Sequence, residues 1–278
     1  MKHLLTTMLW LLCHNVYAQK AQLFQSYLTA EKSYKITQTS DISGELNFMG
    51  SEELVEQLKQ QYGGLPLLFT AKSNQVMTTT TGAIRPDQSV PFETHVDEYT
   101  TTQNMGGQTN TQANPIQGMV IAGHLDSRHK VTIDTLFGTA MTPELKGLIS
   151  TVIDVAQIQF PERPLKKGDS FDQVVPIEIP VAGVATMKMN IHSTYTLTGI
   201  EQGLGKFDVV QVVTLNMPDS NLDLSATGNG TGKGEFNIAQ HMVTSFKSDL
   251  TMLMKVNIDG MEISLKMKSI TDQKVIQQ

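Results

Sequence analysis

The chain has 278 residues, with 21 Lys+Arg against 27 Asp+Glu, a formal charge of −6 and only 17% charged residues. So few charges exclude a charge-rich disordered chain, and the acidic balance excludes a nucleic-acid binder built on a basic surface. An apolar share of 40% over this length supports a large core, as one β domain or two smaller units.

Residues 1–18 read as an export signal. Lys2 and His3 precede an apolar run from Leu4 to Leu12, and Val16-Tyr17-Ala18 has the small-residue spacing of a cleavage site. The run is too short to cross a bilayer. Cleavage after Ala18 removes Cys13 and Trp10, the single Cys and the single Trp, so the exported chain owes nothing to disulfides and has no thiol nucleophile. Lipidation at Cys13 is disfavoured because Leu12, rather than a small residue, precedes it. The expected location is the periplasm or the extracellular space, with no transmembrane segment.

The expected division is 19–157, a β-rich half with short helices, and 158–278, a β-meander half. Residues 20–30 are read as a short helix and Tyr34 to Asp41 as a strand. Ser51-Glu52-Glu53-Leu54 opens a helix, with a capping Ser and acidic first turn; Leu54, Leu58 and Tyr62 line one stripe and Gly63-Gly64 stop it. Thr78 to Thr81 and Phe92 to Thr102 have β composition, and Thr100 to Gln117, rich in Thr, Asn and Gln, is read as a long loop. Ile116 to Leu125 and Lys130 to Leu136 form a hairpin around Asp126-Ser127-Arg128-His129. Thr142-Pro143-Glu144 opens a further helix.

Phe160 to Asp169 marks the boundary between the halves, which repeat a similar order of strand, glycine-rich segment and amphipathic hairpin. Met187, Met189, Ile191, Tyr195 and Leu197 alternate with polar residues. Phe207 to Met217 is a denser β-branched run, expected to be buried on both faces. Gly228, Gly230, Gly232 and Gly234 strip one face of a strand, so a helix, a neighbouring strand or a ligand must approach that backbone. Phe246, Leu250, Met252, Met254, Val256 and Ile258 share one parity and alternate with polar residues, with Leu253 the exception. Asp259-Gly260 is a preferred two-residue hairpin turn. That turn pairs residues Ile258–Met261, Val256–Ile263, Met254–Leu265 and Met252–Met267, apolar with apolar at every step.

The segment Met119 to Ser127, a strand ending Gly123-His124-Leu125-Asp126, resembles the first metal motif of the co-catalytic zinc aminopeptidases, in which the His and Asp are zinc ligands. The further ligands and the carboxylate base of that family do not follow. His129 and Asp134 could extend His124 and Asp126 to a mononuclear set, but all four fall around one turn, where polar residues are commonplace. The loop Thr227 to Gly234 misses the phosphate-loop spacing, and no nucleophile elbow occurs. No cofactor is expected, and no enzyme.

Residues 158–171, Ile-Gln-Phe-Pro-Glu-Arg-Pro-Leu-Lys-Lys-Gly-Asp-Ser-Phe, and Gly230 to Phe236 followed by the hairpin 246–268, resemble an uncharacterised secreted β-rich envelope domain family of Gram-negative bacteria. Phe171 replaces the Trp expected there, and Ala239 stands near a usual Asp. The resemblance implies a mainly antiparallel, strongly curved sheet or half-barrel with a few helices. In general plan it is similar to the periplasmic lipoprotein-carrier half-barrels. It brings no established reaction.

The function read from the sequence is that of an exported, non-enzymatic β protein. It binds an apolar or amphipathic, lipid-like small molecule on a concave face. Met187, Met189, Met252, Met254, Met261 and Met267 line the wall, because Met is flexible and polarizable, and Gly230 and Gly232 open it. An envelope interaction or assembly protein with a filled core is the alternative. A zinc hydrolase using His124 and Asp126 is the weaker one.

Overall fold

The computed structural model describes residues 21–114, 116–138, 158–181, 185–215, 223–258 and 261–278. The chain is mainly β. Among the described residues the strands are β1 (Ser33–Met49), β2 (Leu67–Thr81), β3 (Val90–Met105), β4 (Gln108–Ala113), β5 (Val120–Leu125), β6 (Val131–Phe137), β7 (Ser170–Val181), β8 (Ala185–Glu201), β9 (Leu204–Leu215), β10 (Asp223–Asn237), β11 (Met242–Ile258) and β12 (Met261–Gln277), with a helix, α1 (Glu52–Tyr62), after β1. All belong to one antiparallel sheet, in the order β6-β5-β3-β2-β1-β12-β11-β10-β9-β8-β7, with β4 folded back on β3. The first and last strands pair at its centre, from Tyr34↔Gln277 to Met49↔Glu262, so β1–β6 and β7–β12 are joined through the chain's two ends. Among the described residues no ladder joins the edges β6 and β7; the sheet is not closed. Edge strand β7 carries Pro176 and Pro180, whose missing N–H groups an edge tolerates.

The β11–β12 hairpin has the register its turn requires: Ile258↔Met261, Val256↔Ile263, Met254↔Leu265 and Met252↔Met267. Leu253, the exception in the alternation, points outward and is exposed. Followed strand to strand, the registers put Met189, Leu215, Ala226, Met254, Leu265, Leu46 and Leu67 in one row on one face. That face is the inner one. It holds the buried clusters, whereas Lys72, Lys247, Lys266 and Lys268 stand on the other and pair there with Asp41, Asp272, Glu45 and Asp249.

Several expectations are corrected. Residues 21–30 are not helical: Gln22 bridges Leu165, and Phe24 and Leu28 pack into separate clusters, so burial overrides local propensity. Within the expected loop Thr100 to Gln117, Thr100 to Ala113 form a hairpin. Thr102 and Thr111 join hydroxyls at 2.9 Å, Asn104 donates to Thr109 at 2.8 Å, and Gly106 and Gly107 turn the chain with positive φ. The run Phe207 to Leu215 is buried on one face only; Val209 and Val213 are inside, while Val210 and Val212 are 54% and 40% exposed. The expected helix at Thr142 and the turn Asp259-Gly260 lie outside the described residues, as does the proposed export signal.

The sheet curls sharply. His129 in the β5–β6 turn and His241 in the β10–β11 turn both stack on Tyr27, at 4.3 and 4.4 Å between ring centroids and nearly parallel to it. Five strand spacings separate β5 from β11, which in a flat sheet would hold them about 24 Å apart. Inner-face glycines permit this curl. A Cβ on Gly44 would meet the Phe69 ring at 2.5 Å and the Lys266 carbonyl at 2.6 Å; a Cβ on Gly123 would collide with Phe92, and one on Gly205 with Phe24. Each ring reaches into the space that a side chain would fill. We expect Gly44→Ala to cost about 1–3 kcal/mol by overpacking. Gly199→Ala, where an added Cβ meets nothing within 4 Å, should stay within about 0.5 kcal/mol. Denaturant unfolding of the two variants measures both.

Candidate functional site

The inner face is divided into three bands. At the end where β1 starts and β12 finishes lies an aromatic base. Phe24 packs against Phe160, Phe207 and Phe236 with centroids 5.2 to 5.5 Å apart, and Phe171 stacks on Tyr195 at 5.0 Å. Burial pushes the Tyr195 hydroxyl above its ordinary value, partly offset by its hydrogen bond with Ser193. Leu28 continues the same N-terminal strap into the second cluster, Phe92, Val96, Met119, Ile121, Leu125 and Leu136. The strap thus plugs this end of the half-barrel.

A polar waist follows. Ser248, Thr271, Ser40, Ser73 and Thr101 form one cross-strand row, and Gln273, Gln38 and Gln75 form the next. All are neutral. Ser40, Ser73, Ser248, Thr271, Gln38 and Gln273 are half-buried, and none makes a side-chain hydrogen bond among the described residues. Their hydrogen-bonding capacity is left to water or a ligand.

Beyond the waist lies the methionine wall. Met189, Val213, Ala226 and Met252 are buried, and Ile191, Leu215, Leu224, Leu250, Met254 and Met267 pack half-buried around them. Four of the six singled-out methionines therefore share one cluster. Met261 is half-buried and faces Gly50. Met187 sits in register with Ile179 near the open end of β8. Gly230 and Gly232 lie on the same inner face. A Cβ on Gly230 would meet Leu250 Cδ1 at 3.0 Å, and one on Gly232 would meet the Lys247 carbonyl at 2.6 Å. What approaches this backbone is the neighbouring strand β11.

A shallow groove of about 570 Å³ crosses the opposite, outward face of β9–β12. The side chains at its rim, among them Asp208, Val210, Lys233, Lys247, Asp249 and Asp272, have outward parity. It does not involve the methionine wall.

The residues weighed as metal ligands are engaged otherwise. His124 Nδ1 lies 3.0 Å from Asp134 Oδ2. Asp126 Oδ1 accepts the backbone N–H of Arg128 at 2.8 Å and of Lys130 at 3.0 Å. The His129 ring is held against Tyr27. Among the described residues no group of three or more His, Cys, Asp or Glu converges on a common point. Sequence reasoning singled out neither Tyr27 nor His241. Tyr27, His129 and His241 are far apart in the chain, and only the curl brings them together.

No protein-family model matches the chain, and no curated protein matches it. Among solved structures it is similar to the outer membrane protein OprG from Pseudomonas aeruginosa, at 8% identity over 91% of this chain and 99% of that one, with a TM-score of 0.21. It is similar too to the translocator domain of autotransporter NalP from Neisseria meningitidis, at 8% identity over 97% and 95%, with a TM-score of 0.22. Superpositions this weak assign no function to the chain.

The N–H groups of Lys130 and then Arg128 hold the Asp126 carboxyl below its ordinary value of 3.8. A depressed carboxyl supports the turn above its ordinary value and loses that support as pH falls through the depressed one. An NMR titration should therefore place the Asp126 midpoint below 3.8. Asp126→Ala should loosen residues 126–130 and weaken the His129–Tyr27 stack, read from their ring-proton shifts.

Proposed function

We propose that this is an exported, non-enzymatic binding protein of the bacterial envelope. Its half-barrel takes up an apolar or uncharged amphipathic molecule on the inner face. The observation that carries this reading is the banding of that face: a wall of half-buried methionine and leucine, bordered by neutral Ser, Thr and Gln side chains with unspent hydrogen bonds, above a base already filled by aromatic rings. An acyl or other flexible apolar chain fits the wall, where Met254, Met267, Leu250 and Leu265 can repack around it. Its hydroxyl, ester or amide part fits the waist. An inner face with no charge in either band disfavours an ionic head there.

The outward face bears on where the protein works. Lys72, Lys247, Lys266, Lys268, Asp41, Asp249 and Asp272 project from the middle of the strands. A membrane barrel instead presents an apolar belt to lipid and its polar side chains inward. The outward face of this chain mixes those charges with exposed Leu68, Val210, Val212, Leu253 and Ile270, and charges at mid-strand support a protein surrounded by water inside the envelope.

Native mass spectrometry of protein expressed with its N-terminal segment and purified gently from the envelope tests the reading. We expect a mass beginning at Gln19 with a lipid-sized adduct, and loss of that adduct in Met254→Asp with the circular dichroism spectrum retained. A bare chain in both samples would favour the interaction or assembly protein with a filled core.

A further inference from the structure

A second site lies at the rim of the aromatic base, away from the waist and the methionine wall. A cleft of about 320 Å³ opens where the N-terminal strap, the β5–β6 turn and the segment entering β7 meet; it is lined by residues 24–26, 128–130 and 158–162. The two sides differ chemically. Phe24, Ile158, Phe160 and Pro161 form an apolar floor. Arg128, His129 and Lys130 stand on the facing turn, with Glu162 the single carboxylate in the lining.

The basic turn is held in place before any ligand arrives. Asp126 N–H donates to the Lys130 carbonyl at 3.0 Å, and His129 N–H donates to the Asp126 carbonyl at 2.8 Å. Asp126 Oδ1 takes the N–H groups of Arg128 and Lys130. His129 has a left-handed backbone, φ 63°, and its ring is clamped on Tyr27. Tyr27 is itself fixed by the other ring of the sandwich and by donating its N–H to the His241 carbonyl at 3.0 Å. The Arg128 and Lys130 side chains make no contact ion pair among the described residues; the Asp126 carboxylate, engaged by their backbone N–H groups, feels both cations only as a minor, longer-range attraction. Three consecutive residues thus offer donors on a rigid frame beside an apolar floor. Such pre-organisation lowers the ordering cost of binding, and an arginine next to a lysine suits a carboxylate or phosphate oxygen pair.

The geometry points to a binding site for a small anionic amphiphile, its carboxylate or phosphate held by Arg128 and Lys130 and its apolar stem lying on Phe160 and Pro161. The volume is at the lower end of the range for small-molecule pockets, roughly 300–1,000 Å³. It admits a head and a single short stem rather than a two-chain phospholipid. The site is separate from the methionine wall and its chemistry is opposite, charged rather than neutral.

The test is calorimetric titration with decanoate and with 1-decanol of Met254→Asp, whose methionine wall no longer takes a neutral apolar chain. In that background decanoate should bind about ten-fold more tightly than decanol at low salt, as a charge-assisted contact warrants, and the preference should shrink as salt is raised. Adding Arg128→Ala/Lys130→Ala should abolish the preference while the circular dichroism spectrum is unchanged. Adding Glu162→Gln, which removes the carboxylate in the cleft lining, should tighten decanoate; a merely misfolded variant would not. Equal binding of the two compounds in the Met254→Asp background overturns the proposal, as does a preference that survives the added double substitution. Decanoate binding that Met254→Asp itself abolishes moves the anion to the methionine wall and overturns this site. Sedimentation with phosphatidylglycerol vesicles, lost in the double variant and without decanoate binding, would assign the head to a membrane surface and overturn the free-ligand form.

Discussion

An aromatic ring lying on a glycine is the contact from which the rest of the architecture follows. Phe69 covers Gly44, Phe92 covers Gly123, Phe24 covers Gly205, and Leu250 does the same for Gly230 on the adjacent strand. A side chain that stands up from a pleated sheet keeps its neighbours apart. Removing it lets the ring drop onto the backbone, so the inner layer becomes thin and the sheet can bend around it. The curl then brings the β5–β6 and β10–β11 turns together around Tyr27. Without it the strap would have no aromatic base to enter, and the two halves would touch only through the β1–β12 ladder.

The strap turns a curved sheet into a vessel with a closed base. Gln22 pairs with Leu165 in both directions, its N–H donating to the Leu165 carbonyl and its carbonyl accepting from Leu165 N–H, each at 2.8 Å. Phe24 then fills one cluster and Leu28 the other. Thr81 Oγ1 donates to the Thr29 carbonyl at 2.6 Å, and Thr29 N–H donates to the Tyr34 hydroxyl at 2.8 Å, so the strap enters β1 already anchored. Burying an aromatic ring this completely contributes several kcal/mol at about 25 cal/mol per Å², enough to outweigh the weak helix propensity of the segment.

Much of this was legible from period alone. The β11–β12 register was fixed by one dipeptide and an alternating pattern, because a slip of one residue would turn every apolar side chain outward. The inward parity of Met189, Met252, Met254 and Met267 was readable for the same reason. Curl was not. It depends on which Phe meets which Gly across strands, and Phe69–Gly44 is a pairing between residues 25 positions apart whose register has no turn to set it. The β3–β4 hairpin was obscured by composition: threonine is a good strand residue, but a run of Thr, Asn and Gln resembles loop sequence unless cross-strand hydroxyl pairs are anticipated. The valines of β9 misled in the opposite sense, since Val210 and Val212 look buried yet stand outside.

The Gly123-His124-Leu125-Asp126 sequence shows how one motif can be accounted for by folding physics instead of metal chemistry. Gly123 is required because Phe92 lies on it beside a bulge at Ala122/Gly123. Leu125 is buried in the second cluster. Asp126 is required because its carboxylate collects two backbone N–H groups that no strand partner can satisfy at the tip. His124 pairs across to Asp134 on the neighbouring strand. Each residue type therefore has a separate local reason, and their succession creates no shared centre. What the four do create together is a stiff turn. Its side chains Arg128 and Lys130 make no contact ion pair among the described residues and stand at the mouth of the cleft over Phe24 and Phe160. Local folding physics accounts for every residue of the motif, where a metal site would lack most of its ligands.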